Sequence, residues 1–143
     1  MVNSRQKGAL GENKIIEFLL EKTGIKFERT PGSGSGKIKG DVICPFSVFC
    51  IEVKNYKEDP FNSNILCNKT SLIPIWWNKL KKESYPRKPL LFYRWNRSKW
   101  FVVTEQKPTK TKNYLDFPSL GCYILLAEEW ILKEEITWSH SKS

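Results

Sequence analysis

Apolar residues recur with a helical period near the start of the chain and then change to short unbroken runs. Between Ala9 and about Lys22, Ile15, Ile16, Leu19 and Leu20 fall on one arc at about 100° per residue. That pattern predicts an amphipathic helix, ended by Gly24. Residues 25–30 read as a strand, and 41–44 and 48–55 as two more, turned at 45–47. Residues 56–70 are polar and irregular. A second helix is predicted over 71–84, with Ser71 as its N-cap and Pro74 in its first turn. Residues 90–95 and 100–104 read as a hairpin, 105–121 as a long polar excursion, 122–127 as a last strand and 128–135 as a short helix. The order α-β-β-β-α-β-β-β-α predicts an α/β domain, a mixed central β-sheet flanked by helices. One domain is expected over residues 1–143, with 1–8 a basic arm and 137–143 a flexible tail.

Two of these strands carry charges at positions where burial makes a charge costly. They are Asp41, Glu52 and Lys54. Strand alternation puts Glu52 and Lys54 on one side, and folding the turn at 45–47 brings Asp41 towards Glu52. Two ionised carboxylates that close together need a cation. Mg²⁺ suits them, because it is usually held by one or two carboxylates with waters and phosphate oxygens. The pattern therefore points to metal-assisted phosphodiester hydrolysis, with Lys54 orienting the water or stabilising developing charge. The plainer reading is a buried Glu52–Lys54 ion pair with Asp41 in a turn.

Glu12 falls near the centre of the apolar arc of the first helix. It is either a first-turn acid favoured by the helix dipole or a third carboxylate aimed at the same site. The Gly-, Ser- and Lys-rich stretch 31–40 is either a plain flexible turn or a loop whose N–H groups meet phosphates. Its place immediately before Asp41 favours the second. It lacks the G-K-[ST] ending of a Walker loop.

Charge narrows the partner. Lys and Arg number 24 against 15 Asp and Glu, a net charge of +9, which favours nucleic acid first and an anionic membrane second. None of the four cysteines is spaced C-x-x-C and the single His, His140, lies in the expected tail, so a zinc site is not supported. Cys44 and Cys50 read as reduced core residues. The N-terminus has no signal-peptide pattern and no apolar run reaches membrane-spanning length. A soluble intracellular protein without a membrane partner is expected, in a prokaryotic cell or a virus-infected host.

Asp41 followed by Glu52-Val53-Lys54 resembles the core motif of the PD-(D/E)xK nuclease superfamily. The chain is most similar to its archaeal-type Holliday junction resolvases, from about Arg5 to Lys57 and weakly on to Thr104. Arg5-x-Lys7-Gly8-x-x-x-Glu12 resembles that group's basic lead into its first helix, and Arg29 to Ser35 its serine-glycine loop. The resemblance implies a restriction-endonuclease-like core and Glu12, Asp41, Glu52, Lys54 and Ser33 as catalytic residues. It implies Asp41, Glu52, the Val53 carbonyl and Glu12 as ligands of Mg²⁺, with Mn²⁺ as substitute. Arg5, Lys7, Ser35, Lys37, Lys39 and Asn55 are the candidate DNA contacts. A homodimer that cuts opposed strands of a four-way junction follows from the same likeness. Gly40 stands where relatives carry Pro before the Asp, and Trp76-Trp77-Asn78 where many carry Gln or basic residues. Another PD-(D/E)xK nuclease (a nickase, or a repair or restriction-type enzyme) and a non-catalytic basic DNA-binding domain are the alternatives.

Overall fold

A computed structural model describes residues 4–31, 40–67, 71–96 and 98–140, without the side chains of 4–8. Seven strands form one sheet: β1 (Glu28–Arg29), β2 (Val42–Ile43), β3 (Phe49–Tyr56), β4 (Lys88–Trp95), β5 (Phe101–Thr104), β6 (Leu115–Phe117) and β7 (Cys122–Leu126). Their order is β1-β2-β3-β4-β5-β7-β6. Among the described residues β3 and β4 pair in parallel, Phe49 opposite Lys88 through Tyr56 opposite Trp95, and the other pairs are antiparallel. A parallel pair needs a crossover. Here it consists of a short 3₁₀ turn (Ser63–Leu66) and helix α2 (Leu72–Ser84).

Helix α1 (Ser4–Thr23) and helix α2 cover opposite faces of the sheet. Ile15 and Leu19 of α1 pack with Ile51, Val53, Leu90 and Phe92, whereas Ile73, Trp77 and Leu80 of α2 pack with Cys50, Leu91 and Tyr93. Odd and even residues of β3 and β4 thus feed separate cores, and this alternation aims the functional side chains. Of the two tryptophans of α2, Trp77 enters the core and its Nε1–H donates to the Leu120 carbonyl at 2.9 Å.

Four expectations are corrected. The basic arm is not separate, because α1 begins at Ser4. Leu20, placed on the apolar arc, is 46% exposed. The excursion 105–121 contains a further element, edge strand β6, too short to show alternation in sequence. The tail is docked as far as His140: Trp138 is buried against Phe27, Phe49 and Trp130 with ring centroids 5.4–5.6 Å apart. Val48 N–H also donates to the Trp138 carbonyl at 2.9 Å, and His140 N–H to the Phe46 carbonyl at 2.7 Å. An indole buries more surface than any other side chain, which outweighs the polar residues around it.

Helix α3 (Ala127–Lys133) ends at Glu134, which turns inward and is 7% exposed. Its carboxylate accepts the N–H groups of Thr109, Lys110 and Thr111 and both threonine hydroxyls, at 2.7–3.1 Å. Burial pushes the Glu134 carboxyl up, but these donors more than compensate and hold it at about 2. The first part of 105–121 is therefore pinned. Among the described residues no helix is long and apolar enough to cross a membrane.

Candidate active site

The site forms where β2 begins beside β3. Gly40 leads into Asp41 with φ +97°, a backbone conformation closed to proline and strained for other residues. A Cβ at Gly40 would lie 2.9 Å from the Ile51 carbonyl oxygen. A proline could not adopt this path, so glycine is required here by local geometry.

From that turn the Asp41 backbone N–H donates to the Ile51 carbonyl at 2.6 Å. The Asp41 side chain continues the pairing ahead of the start of β2: its Oδ2 accepts the Val53 N–H at 2.7 Å. The N–H and C=O of one strand residue point to the same edge, so the Val53 carbonyl lies on the Asp41 side. Glu52 leaves β3 on the α2 face and hydrogen-bonds the Asp41 carboxyl. Burial, the Asp41 charge and that hydrogen bond push Glu52 up to about 8, against a partial offset from Lys54. Near neutral pH Glu52 is therefore held towards its protonated form, and among the described residues no salt bridge joins it to Lys54.

Lys54 shares the α2 face with Glu52. Its Nζ lies 5.6 Å from the centroid of the Trp76 ring, and Tyr56, two residues on, meets the same ring edge-on at 5.1 Å. Glu12 comes from α1 on the other face. Its Oε1 accepts from Arg29 Nε at 2.9 Å. Burial raises the Glu12 carboxyl, Arg29 pulls it back, and the Asp41 charge pushes it up again, leaving it above its ordinary range. Asp41 is near enough to influence both acids. Gly11 lets α1 approach β3 so closely that a Cβ there would lie 2.7 Å from Asn55 Cβ.

Asp41, Glu52, the Val53 backbone and Lys54 are thus brought together, with Glu12 beside them and committed to Arg29. Asn55 points to the α1 face, where its Oδ1 accepts from Arg94 Nε at 3.3 Å. Ser33, Ser35, Lys37 and Lys39 lie outside the described residues, as do the side chains of Arg5 and Lys7. Nothing in the sequence links Arg29 to Glu12, or Trp76 and Tyr56 to Lys54. The first link needs β1 beside β2. The second needs the crossover helix in place, although Tyr56 sits on the same face of its strand as Lys54.

A metal fits the donor set in part. Two adjacent carboxyls, plus a backbone carbonyl on the same edge, are hard oxygen donors of the kind Mg²⁺ and Mn²⁺ take. Among the described residues no group of three or more His, Cys, Asp or Glu is gathered closely enough to hold an ion. The remaining ligands would then be water and phosphate oxygens, as is usual for Mg²⁺.

The family model described as "Phage putative PDDEXK endonuclease" matches residues 3–120. Protein D14 of Escherichia phage T5 is 34% identical over 148 aligned positions, covering 91% of this chain and 92% of that protein. Among solved structures, the Holliday junction resolvase Hjc of Archaeoglobus fulgidus is similar with a TM-score of 0.45 and 16% identity, over 90% of this chain and 95% of the other.

Proposed function

Since the chain belongs to the phage PDDEXK endonuclease family, we propose that it is a divalent-metal-dependent DNA endonuclease selective for branched DNA. The four-way junction is its leading substrate. The observation that carries the reading is the Asp41–Glu52 pair, held at the edge of β3 with Lys54 on the same strand. A buried carboxyl set beside a second acid, as Glu52 is beside Asp41, gains little for the fold, and a cation between them relieves the cost.

Asp41 and Glu52, with the Val53 carbonyl, would hold Mg²⁺ or Mn²⁺. When bound, the ion would acidify a water and neutralise charge on the phosphate. Asp41 is oriented for this by the Val53 N–H, which fixes one of its oxygens. Glu52 must lose its proton to serve as a ligand. Lys54 would then place its ammonium against the phosphate oxygens or the attacking water. Glu12, held by Arg29, would supply a further negative charge beside Asp41. The net charge of +9 supports binding through phosphates, which makes affinity salt-dependent. A homodimer would place two such sites on opposed strands of a junction.

Cleavage of a synthetic four-way junction, a linear duplex, a flap and a single strand in Mg²⁺ tests the reading, with Asp41→Asn alongside. The proposal expects metal-dependent cutting that favours the junction and is lost in the variant. Equal cutting of all four DNAs removes the selectivity. No cutting with either Mg²⁺ or Mn²⁺ would leave a binding domain.

A further inference from the structure

We propose that the hollow between the end of β3 and the start of α2 receives a single unpaired nucleobase of the DNA, an inference that rests on the nuclease reading above. The hollow measures about 180 Å³, and Tyr56, Glu58, Asp59, Asn64, Ser71 and Leu72 are among its walls. Three observations point to a base.

The first is an aromatic surface beside the reacting centre. Tyr56 is 39% exposed although its ring rests on Trp76. It lies two strand residues from Lys54 on the same face, a rise of about 7 Å. A base stacked there sits within one or two nucleotides of a phosphate at Lys54. Aromatic side chains hold bases in this way whatever the sequence.

The second is an unused hydroxyl. Ser71 is 3% exposed, and its Oγ has no partner among the described residues. It stands at the cap of α2, where a serine ordinarily accepts an N–H from the first turn. Pro74 occupies the third helical position and has no N–H to offer, and no side-chain capping bond is made. Ser71 lines the hollow with this buried hydroxyl unpaired.

The third is the sign of the walls. Glu58 and Asp59 repel a phosphate but accept from the amino group on a base edge. The base would enter while its phosphate stays towards Lys54. Branch points and mismatches supply such bases with little unstacking cost.

The test uses DNA with 2-aminopurine next to the cleavage position, either paired or unpaired, bound in EDTA so that no cutting occurs. The full-length protein should quench the unpaired probe. Tyr56→Ala should abolish the quench and weaken binding of that DNA roughly five- to a hundredfold, leaving the paired duplex within about twofold. Tyr56→Phe should restore both. A quench that survives Tyr56→Ala, or an equal loss on both DNAs, overturns the proposal. Cleavage in Mg²⁺ or Mn²⁺ is scored separately. A protein that cuts DNA without a Tyr56-dependent quench loses the pocket alone. One that shows the quench and never cuts keeps the pocket and loses the nuclease reading.

Discussion

The carboxylate of Asp41 accepts the backbone N–H of Val53 at 2.7 Å, taking the place of a main-chain carbonyl just before β2 begins. One residue thus does two things. It closes the β2–β3 pairing, and it holds an oxygen next to Glu52. Asp41→Asn keeps an acceptor for Val53 and removes the charge. Cleavage should fall by roughly 10²–10³ or more, while the metal-free fold stays as stable as the wild type. Asp41→Ala should also lose about 1.5–3 kcal/mol of stability, because the Val53 N–H is left without its charged acceptor. Activity assays paired with urea unfolding separate the two variants.

The raised Glu52 carboxyl makes stability depend on pH in a defined direction. Glu52 is raised from its ordinary 4.5 to about 8 in the folded protein. Between those values the folded chain holds more protons than the unfolded chain, so stability falls as pH rises. In EDTA the Tm should be highest near pH 5 and fall through pH 8, apart from contributions of other groups. Glu52→Gln should flatten that fall. Mg²⁺ should raise the Tm more at pH 8.5 than at pH 6, since the ion takes the deprotonated site. Calorimetry over that range is the measurement.

Trp76 sits over the Lys54 ammonium and steadies it, so its effect should fall on turnover more than on binding. Trp76→Ala should lower kcat about 2- to 30-fold, the equivalent of a cation–π contact of 0.5–2 kcal/mol. Trp76→Phe should recover most of the loss. A change confined to KM would assign the ring to substrate binding instead.

Gly40 and Gly11 set the two approaches on which the site depends. Gly40→Ala meets the Ile51 carbonyl at 2.9 Å and needs a left-handed backbone, costing about 1–3 kcal/mol. Gly40→Pro cannot take that φ and should leave the variant unfolded or inactive. Gly11→Ala gains helix propensity of about 1 kcal/mol but forces α1 away from Asn55. Its activity should therefore drop more than its stability. Denaturation and cleavage measured side by side give the ratio.

The C-terminal segment supports the core. Trp138→Ala should destabilise by about 3–5 kcal/mol, as for other buried tryptophans. Glu134→Gln replaces an acceptor with a donor facing Thr109–Thr111 and should cost roughly 3 kcal/mol. Both variants should retain metal-dependent cutting at low temperature if they fold.

Much of this molecule was legible before any coordinates. The helix–strand order is written in periods of 3.6 and 2 residues, which depend on neighbours in sequence alone. Asp41, Glu52 and Lys54 were conspicuous because charges in apolar strands need a partner. Glu12 was visible as an acid on an apolar helical arc. What stayed hidden rests on contacts between elements far apart in the chain. Sequence did not show that α1 and α2 take opposite faces of β3, so that Glu12 and Lys54 reach the site from different sides. Nor did it show Arg29 holding Glu12, Trp76 lying over Lys54, or Glu134 gathering residues 109–111. Trp138 looked like part of a loose end because its neighbours are polar, and its burial depends on the three rings that surround it. The sequence by itself determined which groups could do the chemistry. The tertiary structure decided which of them meet, because hydrogen bonds and ring contacts form only once strand order and helix packing have set their distances.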